Sequence, residues 1–255
     1  MSTVNYYRTY QLNEIYEKVK AKSAGVLGKY LDYPDLYSFN DEERSLTFKS
    51  ERLIPQIYSG RPRVMLLFSN PHPHSVHQGM LLSPNTRGKE NAFWETMRAA
   101  GWINFKEETS DPIKIAEKCF KVQYEGPFDF VFYPYYSFPT NYPQEIEEIF
   151  GSDTCRRVIG PEAQIEFMNV VSLIAVDAVV VFNKEIFNIV AEEKVDKPIK
   201  QLVNETLIIS KLKNIEKRIP IYLTFPTGWR YHKDIKRLRK ISLDLIKTAI
   251  LKSQE

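Results

Sequence analysis

Arg63-Val64-Met65-Leu66-Leu67-Phe68-Ser69, running straight into Asn70-Pro71-His72-Pro73-His74-Ser75-Val76-His77-Gln78-Gly79, is the stretch that decides the fold. Its first seven residues form a short apolar run closed by an Asn-Pro turn, which reads as a strand buried on both faces. Three more such runs occur at residues 128–133, 176–182 and 219–224. Near-continuous apolar strands suit a parallel sheet covered on both sides. Helical patterns lie between and after them. Residues 90–100 close on Gly101 at a C′ position, and residues 161–175 open with Pro161 at the first helical position. Residues 233–252 carry Ile235, Leu238, Ile241, Leu245 and Ala249 on one face. This alternation predicts an α/β protein: a three-layer α/β/α domain over residues 61–255 with a central four-stranded, mainly parallel sheet. Residues 184–217, charged and free of glycine, read as a helical pair joining the third and fourth strands. Residues 1–60 read as an N-terminal helical elaboration, built on an amphipathic helix over residues 10–27.

The rest of the chain narrows the function classes. With 255 residues, 43% hydrophobic and 26% charged, it can bury a large core. A formal net charge of +3 permits an anionic partner without demanding one. Cys119 and Cys155 are too few for a disulfide framework, a four-cysteine zinc site or an iron–sulfur cluster, and are read as reduced. Residues 1–8 hold no apolar core of a secretory signal. The most apolar stretch, 170–182, is interrupted by Asp177 and falls short of the roughly 20 residues a membrane span needs. The expectation is a cytoplasmic monomer without membrane association or cofactor.

In an open parallel sheet, ligands sit beyond the carboxyl ends of the strands. Two loops at such ends concentrate the chemistry: residues 70–79 after the first strand and residues 225–232 after the fourth. They hold all four histidines of the chain, His72, His74, His77 and His232. A histidine trio at close spacing opens one alternative, a metal-dependent hydrolase on His72, His74 and His77. No Asp or Glu lies within that loop to complete such a site.

The same residues resemble a known family. A strand, Asn70-Pro71, a loop closing on Gly79-Met80-Leu81-Leu82-Ser83, then Ala92-Phe93-Trp94 and Ala99-Ala100-Gly101-Trp102 are similar to the first motif of the uracil-DNA glycosylase superfamily, most of all its mismatch-specific branch. Phe225-Pro226-Thr227-Gly228, followed by a helix, is similar to the second motif. The resemblance runs from about Arg63 to the C-terminus and leaves residues 1–60 outside. It implies an enzyme that takes a base out of the stack and hydrolyses its N-glycosidic bond. Asn70 matches the position that holds the attacking water, where an amide would orient water and stabilise the transition state. Phe225 stands where the family carries His or Asn to hydrogen-bond the departing base, so His232 or a loop histidine is the expected substitute. Leu82 stands where the family has an aromatic residue, and Tyr133-Pro134-Tyr135-Tyr136 shows no Asn to read the base edge. The expected substrate-binding set is Ser69, Pro71, His72, His74, Leu82, Tyr133, Phe225 and Thr227, with Asn70 and His232 catalytic.

The expected partner is DNA, single-stranded or carrying a damaged or mismatched base. Gly228 would allow close backbone approach and Trp229 would fill the space of the extruded base. Arg230, Lys233 and Arg237, with Lys236, Arg239 and Lys240 beside them in sequence and Arg87 and Lys89 in the first loop region, would follow the phosphate backbone. A catalytically inactive nucleic-acid-binding module of the same fold is the other alternative.

Overall fold

The computed structural model describes residues 5–85, 87–106, 111–227 and 232–254. The chain opens with β1 (Asn5–Gln11), α1 (Tyr16–Leu27), β2 (Tyr37–Asn40) and β3 (Ser45–Glu51). Next come β4 (Arg63–Phe68), α2 (Pro73–Gln78), α3 (Ala92–Ala99), α4 (Pro112–Phe120) and β5 (Asp129–Pro134). Helix α5 (Gln144–Phe150) is followed by α6 (Ser152–Thr154), which passes through a π turn into α7 (Gly160–Ile174). Strand β6 (Ala178–Val181), α8 (Lys184–Val190), α9 (Pro198–Val203), β7 (Ile208–Lys211), β8 (Pro220–Leu223) and α10 (Ile235–Lys252) complete the fold.

The four apolar runs are the four parallel strands, in the order β5-β4-β6-β8. The central sheet has five strands rather than four. The fifth, β7, lies antiparallel on the β8 edge. It falls inside the 184–217 segment read as a helical pair, which instead holds two short helices and a strand. Strand β7 has only four residues with alternating burial, inside a lysine-rich stretch, so its sequence carries no continuous apolar run.

Helices cover both sheet faces. Even-numbered residues of β4 (Val64, Leu66, Phe68) join Phe93, Trp94 and Met97 of α3, Ile115 and Cys119 of α4 and Ile246 and Ile250 of α10. Odd-numbered Met65 and Leu67 join Phe167, Val170 and Val171 of α7 and Phe187 and Val190 of α8. This period-2 division of a buried strand between two cores makes the three layers. In α10 the buried face runs through Leu238, Ser242, Leu243, Ile246 and Ile250, while Leu245 is exposed. The face is therefore turned from the one the sequence pattern indicated.

The N-terminal segment is not a helical elaboration. It holds one regular helix, α1, and a three-stranded antiparallel sheet in the order β1-β3-β2. Residues 10 and 11, assigned by pattern to the helix, end β1. Its core of Tyr16, Val19, Leu46 and Phe48 packs on Phe138, Ile146, Ile149 and Phe150. Leu53 pairs with Phe132 through two backbone hydrogen bonds of 2.9 Å. Ser50 Oγ donates to the Ser137 carbonyl (2.6 Å) and Tyr37 Oη to the Pro139 carbonyl (2.6 Å). The module is thereby latched to the chain that leaves β5, at the end of the sheet where ligands bind in this architecture.

Candidate functional site

A cavity of about 550 Å³ opens at the carboxyl ends of β4, β5, β6 and β8. Helix α2 forms part of its wall. His72 caps α2, Pro73 starts it, and Gly79 ends it in the left-handed region (φ +80°), with its N–H returned to the Ser75 and Val76 carbonyls. Beyond it Leu82 also has positive φ (+60°), uncommon for a residue with a side chain. Its carbonyl is held by Trp94 Nε1–H at 3.1 Å. Phe68 and Phe182 stack nearly parallel, with centroids 5.0 Å apart and planes 7° off, and both line the cavity as an aromatic surface.

Asn70 is held in one orientation. Its amide nitrogen donates to the Thr140 carbonyl (2.8 Å), to Thr140 Oγ1 (2.9 Å) and to the Pro71 carbonyl (3.1 Å). Its carbonyl oxygen accepts from Ser69 Oγ–H (3.0 Å). Thr140 is fully buried, and its own N–H donates to the Pro71 carbonyl. With the amide hydrogens engaged, the group that keeps spare capacity is Oδ1, whose second lone pair can accept from a water or a ligand N–H. Asn70 therefore presents an acceptor to the cavity it lines.

The imidazoles are equally ordered. His72 Nδ1 accepts from the His74 N–H (3.2 Å), so the hydrogen of the neutral ring sits on Nε2. Desolvation, then the positive potential of His74 and Lys29, lowers the His72 pKa to about 4. The ring is neutral at pH 7, and with Nδ1 taken its Nε2–H is the donor to the Asn141 side chain. His74 Nε2–H donates to the Pro84 carbonyl (3.0 Å), which leaves Nδ1 as a buried acceptor without a partner among the described residues. His77 lies outside the cavity against Tyr33, ring centroids 4.3 Å apart. The three loop histidines do not converge on a metal, and no group of three or more His, Cys, Asp or Glu able to hold one occurs among the described residues. The hydrolase alternative loses its geometry.

The remaining wall comes from Thr140 and Asn141 after β5 and from Lys29, Tyr30 and Tyr33 of the N-terminal module. Tyr30 Oη donates to Asn141 Oδ1 (2.8 Å), and the Tyr30 ring meets His72 edge to face. Among the described lining residues Lys29 is the one charged side chain and none is a carboxylate. An aromatic surface ringed by amides, hydroxyls and imidazoles suits a flat, uncharged, hydrogen-bonding ring. It does not suit a reaction run by a pair of carboxylates.

The sequence-expected residues divide. Ser69, Asn70, His72, His74, Leu82 and Thr227 line the cavity together. Pro71 is buried behind Asn70 and contributes its carbonyl. Tyr133 points to the opposite sheet face, into the core with Phe167. Strand alternation sends it there, so it reads no ligand in this cavity. Phe225 is buried in that same core and borders only a smaller void beside Thr227. His232 does not line the cavity; its Nδ1 accepts from the Asp234 N–H (3.1 Å) ahead of α10.

Much of the basic tract is already matched. Arg237 pairs with Glu205 (2.9 Å), Lys236 with Glu95 (2.7 Å) and Lys240 with Asp244 (2.6 Å). Arg239 is buried and donates to the Pro226 and Thr227 carbonyls, both 2.9 Å. Lys233, Arg87 and Lys89 are exposed. Gly228, Trp229 and Arg230 lie outside the described residues.

Sequence reading missed Lys29, Tyr30, Tyr33, Thr140, Asn141 and Phe182. The strand-end rule that found Asn70 also reaches Thr140-Asn141 and Phe182, which follow β5 and β6. No local signal marks Lys29 to Tyr33. No helix among the described residues is long and apolar enough to cross a membrane. In comparison with known proteins, no family model matches the chain and no curated protein matches it.

Proposed function

We propose that the chain binds a nucleobase in the Asn70 cavity and acts as a monofunctional DNA glycosylase on a flipped-out uracil or another damaged or mismatched base. The observation that carries the reading is the Asn70 carboxamide, fixed by Thr140 with its oxygen left as the acceptor at the cavity. That is the group needed to hold a water for attack on the sugar carbon. The amide and hydroxyl lining and the Phe68–Phe182 surface support the same class of ligand. A base extruded from a stack regains aromatic contact there and finds donors and acceptors for its edge. The buried His74 Nδ1 would accept a ring N–H.

The departing base needs a hydrogen-bond donor as negative charge builds on it. In this reading His72, one of the loop histidines, takes the donor role rather than His232, its Nε2–H turning from Asn141 to the base, because His72 lines the cavity and is neutral at pH 7. Loss of one such donor typically costs about 10²–10³ in rate. The test is a panel of oligonucleotides carrying uracil, hypoxanthine, xanthine and thymine mismatches. Alkali-labile breaks that disappear in Asn70→Ala and fall by about 10²–10³ in His72→Ala are expected. No cleavage of any member, with no binding at low salt, refutes the nucleic-acid reading.

A second reading is a nucleic-acid-binding module without chemistry. It is favoured by Phe225 and His232, since neither supplies a donor to the cavity. Salt-sensitive binding without product in the same panel would select it.

A further inference from the structure

The Asn70 cavity is larger than a base requires, and the one charge among its described lining residues comes from outside the α/β/α domain. Its volume of about 550 Å³ falls within the range of small-molecule sites, with room for more than the ~8 non-hydrogen atoms of a pyrimidine base. Lys29 sits in the short 3-10 helix Gly28–Asp32, exposed to solvent, with Nζ 5.3 Å from the Tyr30 ring centroid. This cation–π contact keeps the ammonium at the cavity wall. Lys29 has no ion pair among the described residues. Asp32 and Asp35, close in sequence, do not line the cavity. The Glu145 carboxylate beside that wall accepts from the Asn141 N–H (2.9 Å) and the Tyr142 N–H (3.4 Å). The cavity thus holds an unmatched positive charge at one side and a flat aromatic surface at another.

We propose that the N-terminal module supplies a phosphate subsite: Lys29 takes the phosphate of the nucleotide whose base lies against Phe68 and Phe182. The proposal rests on the nucleobase reading above and extends it from a base to a phosphate-bearing nucleotide. The phosphate belongs either to a free mononucleotide or to a strand, and the two share the same chemistry at Lys29. It also gives residues 5–51 a part in binding, where an appended module alone would contribute only stability. The module is latched to the β5 exit loop by Ser50 and Tyr37, so Lys29 is carried on a fixed support.

The test uses the full chain and its Lys29→Gln and Lys29→Arg variants at low salt. Calorimetry compares deoxyuridine with its 5′-monophosphate, and a uracil-containing single-stranded oligonucleotide is titrated across salt concentrations. Wild type is expected to bind the monophosphate at least about tenfold more tightly than the nucleoside. Lys29→Gln should erase that preference without weakening the nucleoside, and Lys29→Arg should keep it. Alternatively the preference appears only with the oligonucleotide, as a salt slope reduced by about one in Lys29→Gln; this also supports the subsite and assigns the phosphate to a strand. Nucleoside binding that needs Asn70 but shows neither effect overturns the Lys29 subsite and leaves the base reading standing. No binding of any of the three ligands overturns both.

Discussion

Replacing Asn70 by aspartate is the sharpest test of how this site is held. The substitution keeps shape and keeps an acceptor for Ser69 Oγ–H, but it puts an oxygen where the amide nitrogen donates to the Thr140 carbonyl at 2.8 Å and Thr140 Oγ1 at 2.9 Å. The Thr140 hydroxyl cannot simply turn to serve the new oxygen, because it already donates to the Tyr142 carbonyl (2.9 Å). Two neutral hydrogen bonds worth about 1 kcal/mol each are lost, and a buried carbonyl left without a donor adds about 1–3 kcal/mol. The sum is about 3–5 kcal/mol at neutral pH. At 2–4 °C per kcal/mol for a chain of this size, Tm falls by roughly 6–20 °C. Protonation of the introduced carboxyl restores a donor toward Thr140, so the folded state raises its pKa above the unfolded value of about 3.9. The folded state then binds more protons than the unfolded state, and stability is lost as pH rises through that window. Thermal unfolding followed by circular dichroism at pH 4 and pH 8 reads the effect, with Asn70→Ala as the control that lacks the added pH dependence. A Tm deficit below ~3 °C at pH 8, or an equal deficit at both pH values, would refute the claim that Thr140 holds this group as a donor.

Two further perturbations bear on the frame around the site. Asp129, fully buried at the start of β5, accepts from the Ser59 N–H (2.6 Å), Ser59 Oγ (2.7 Å) and Arg61. Asp129→Ala strands these donors and should cost about 3–5 kcal/mol in chemical unfolding; a loss under about 1 kcal/mol would show that the cluster is solvated. Glu51 is fully buried beside Asn5, neither of its oxygens has a partner among the described residues, and burial raises its pKa well above the usual 4.5. Its folded form keeps the proton, so wild type loses stability as pH rises above about 4.5 toward that raised value. Glu51→Gln should flatten this decline and be the more stable protein at pH 8; parallel stability–pH curves would refute it.

The apolar runs at β4, β5, β6 and β8 were readable in the sequence because a strand buried on both faces needs apolar residues at nearly every position. The same local rule placed Asn70 at a strand end. It was silent on β7 and the N-terminal sheet, whose strands mix polar and apolar residues and so carry no continuous apolar run. Facing was settled only by packing. Tyr133 and Phe225 follow the same strand-end logic as Asn70, yet the pleat and the path of the chain turn both into the opposite core. The basic tract at the start of α10 reads as free charge in sequence, whereas Glu95, Glu205 and Asp244 pair with Lys236, Arg237 and Lys240 through contacts that include a partner 141 positions away.

For the two loops, the sequence determined residue types and their place at the carboxyl edge of a parallel sheet. The tertiary structure decided what those residues meet: Asn70 with Thr140, His72 with Tyr30, Lys29 on the same cavity wall as Tyr30, and His232 apart. Hydrophobic periodicity is a local property of the chain and survives in one dimension. The orientation of an amide or the neighbour of a lysine depends on segments brought together only when the core closes.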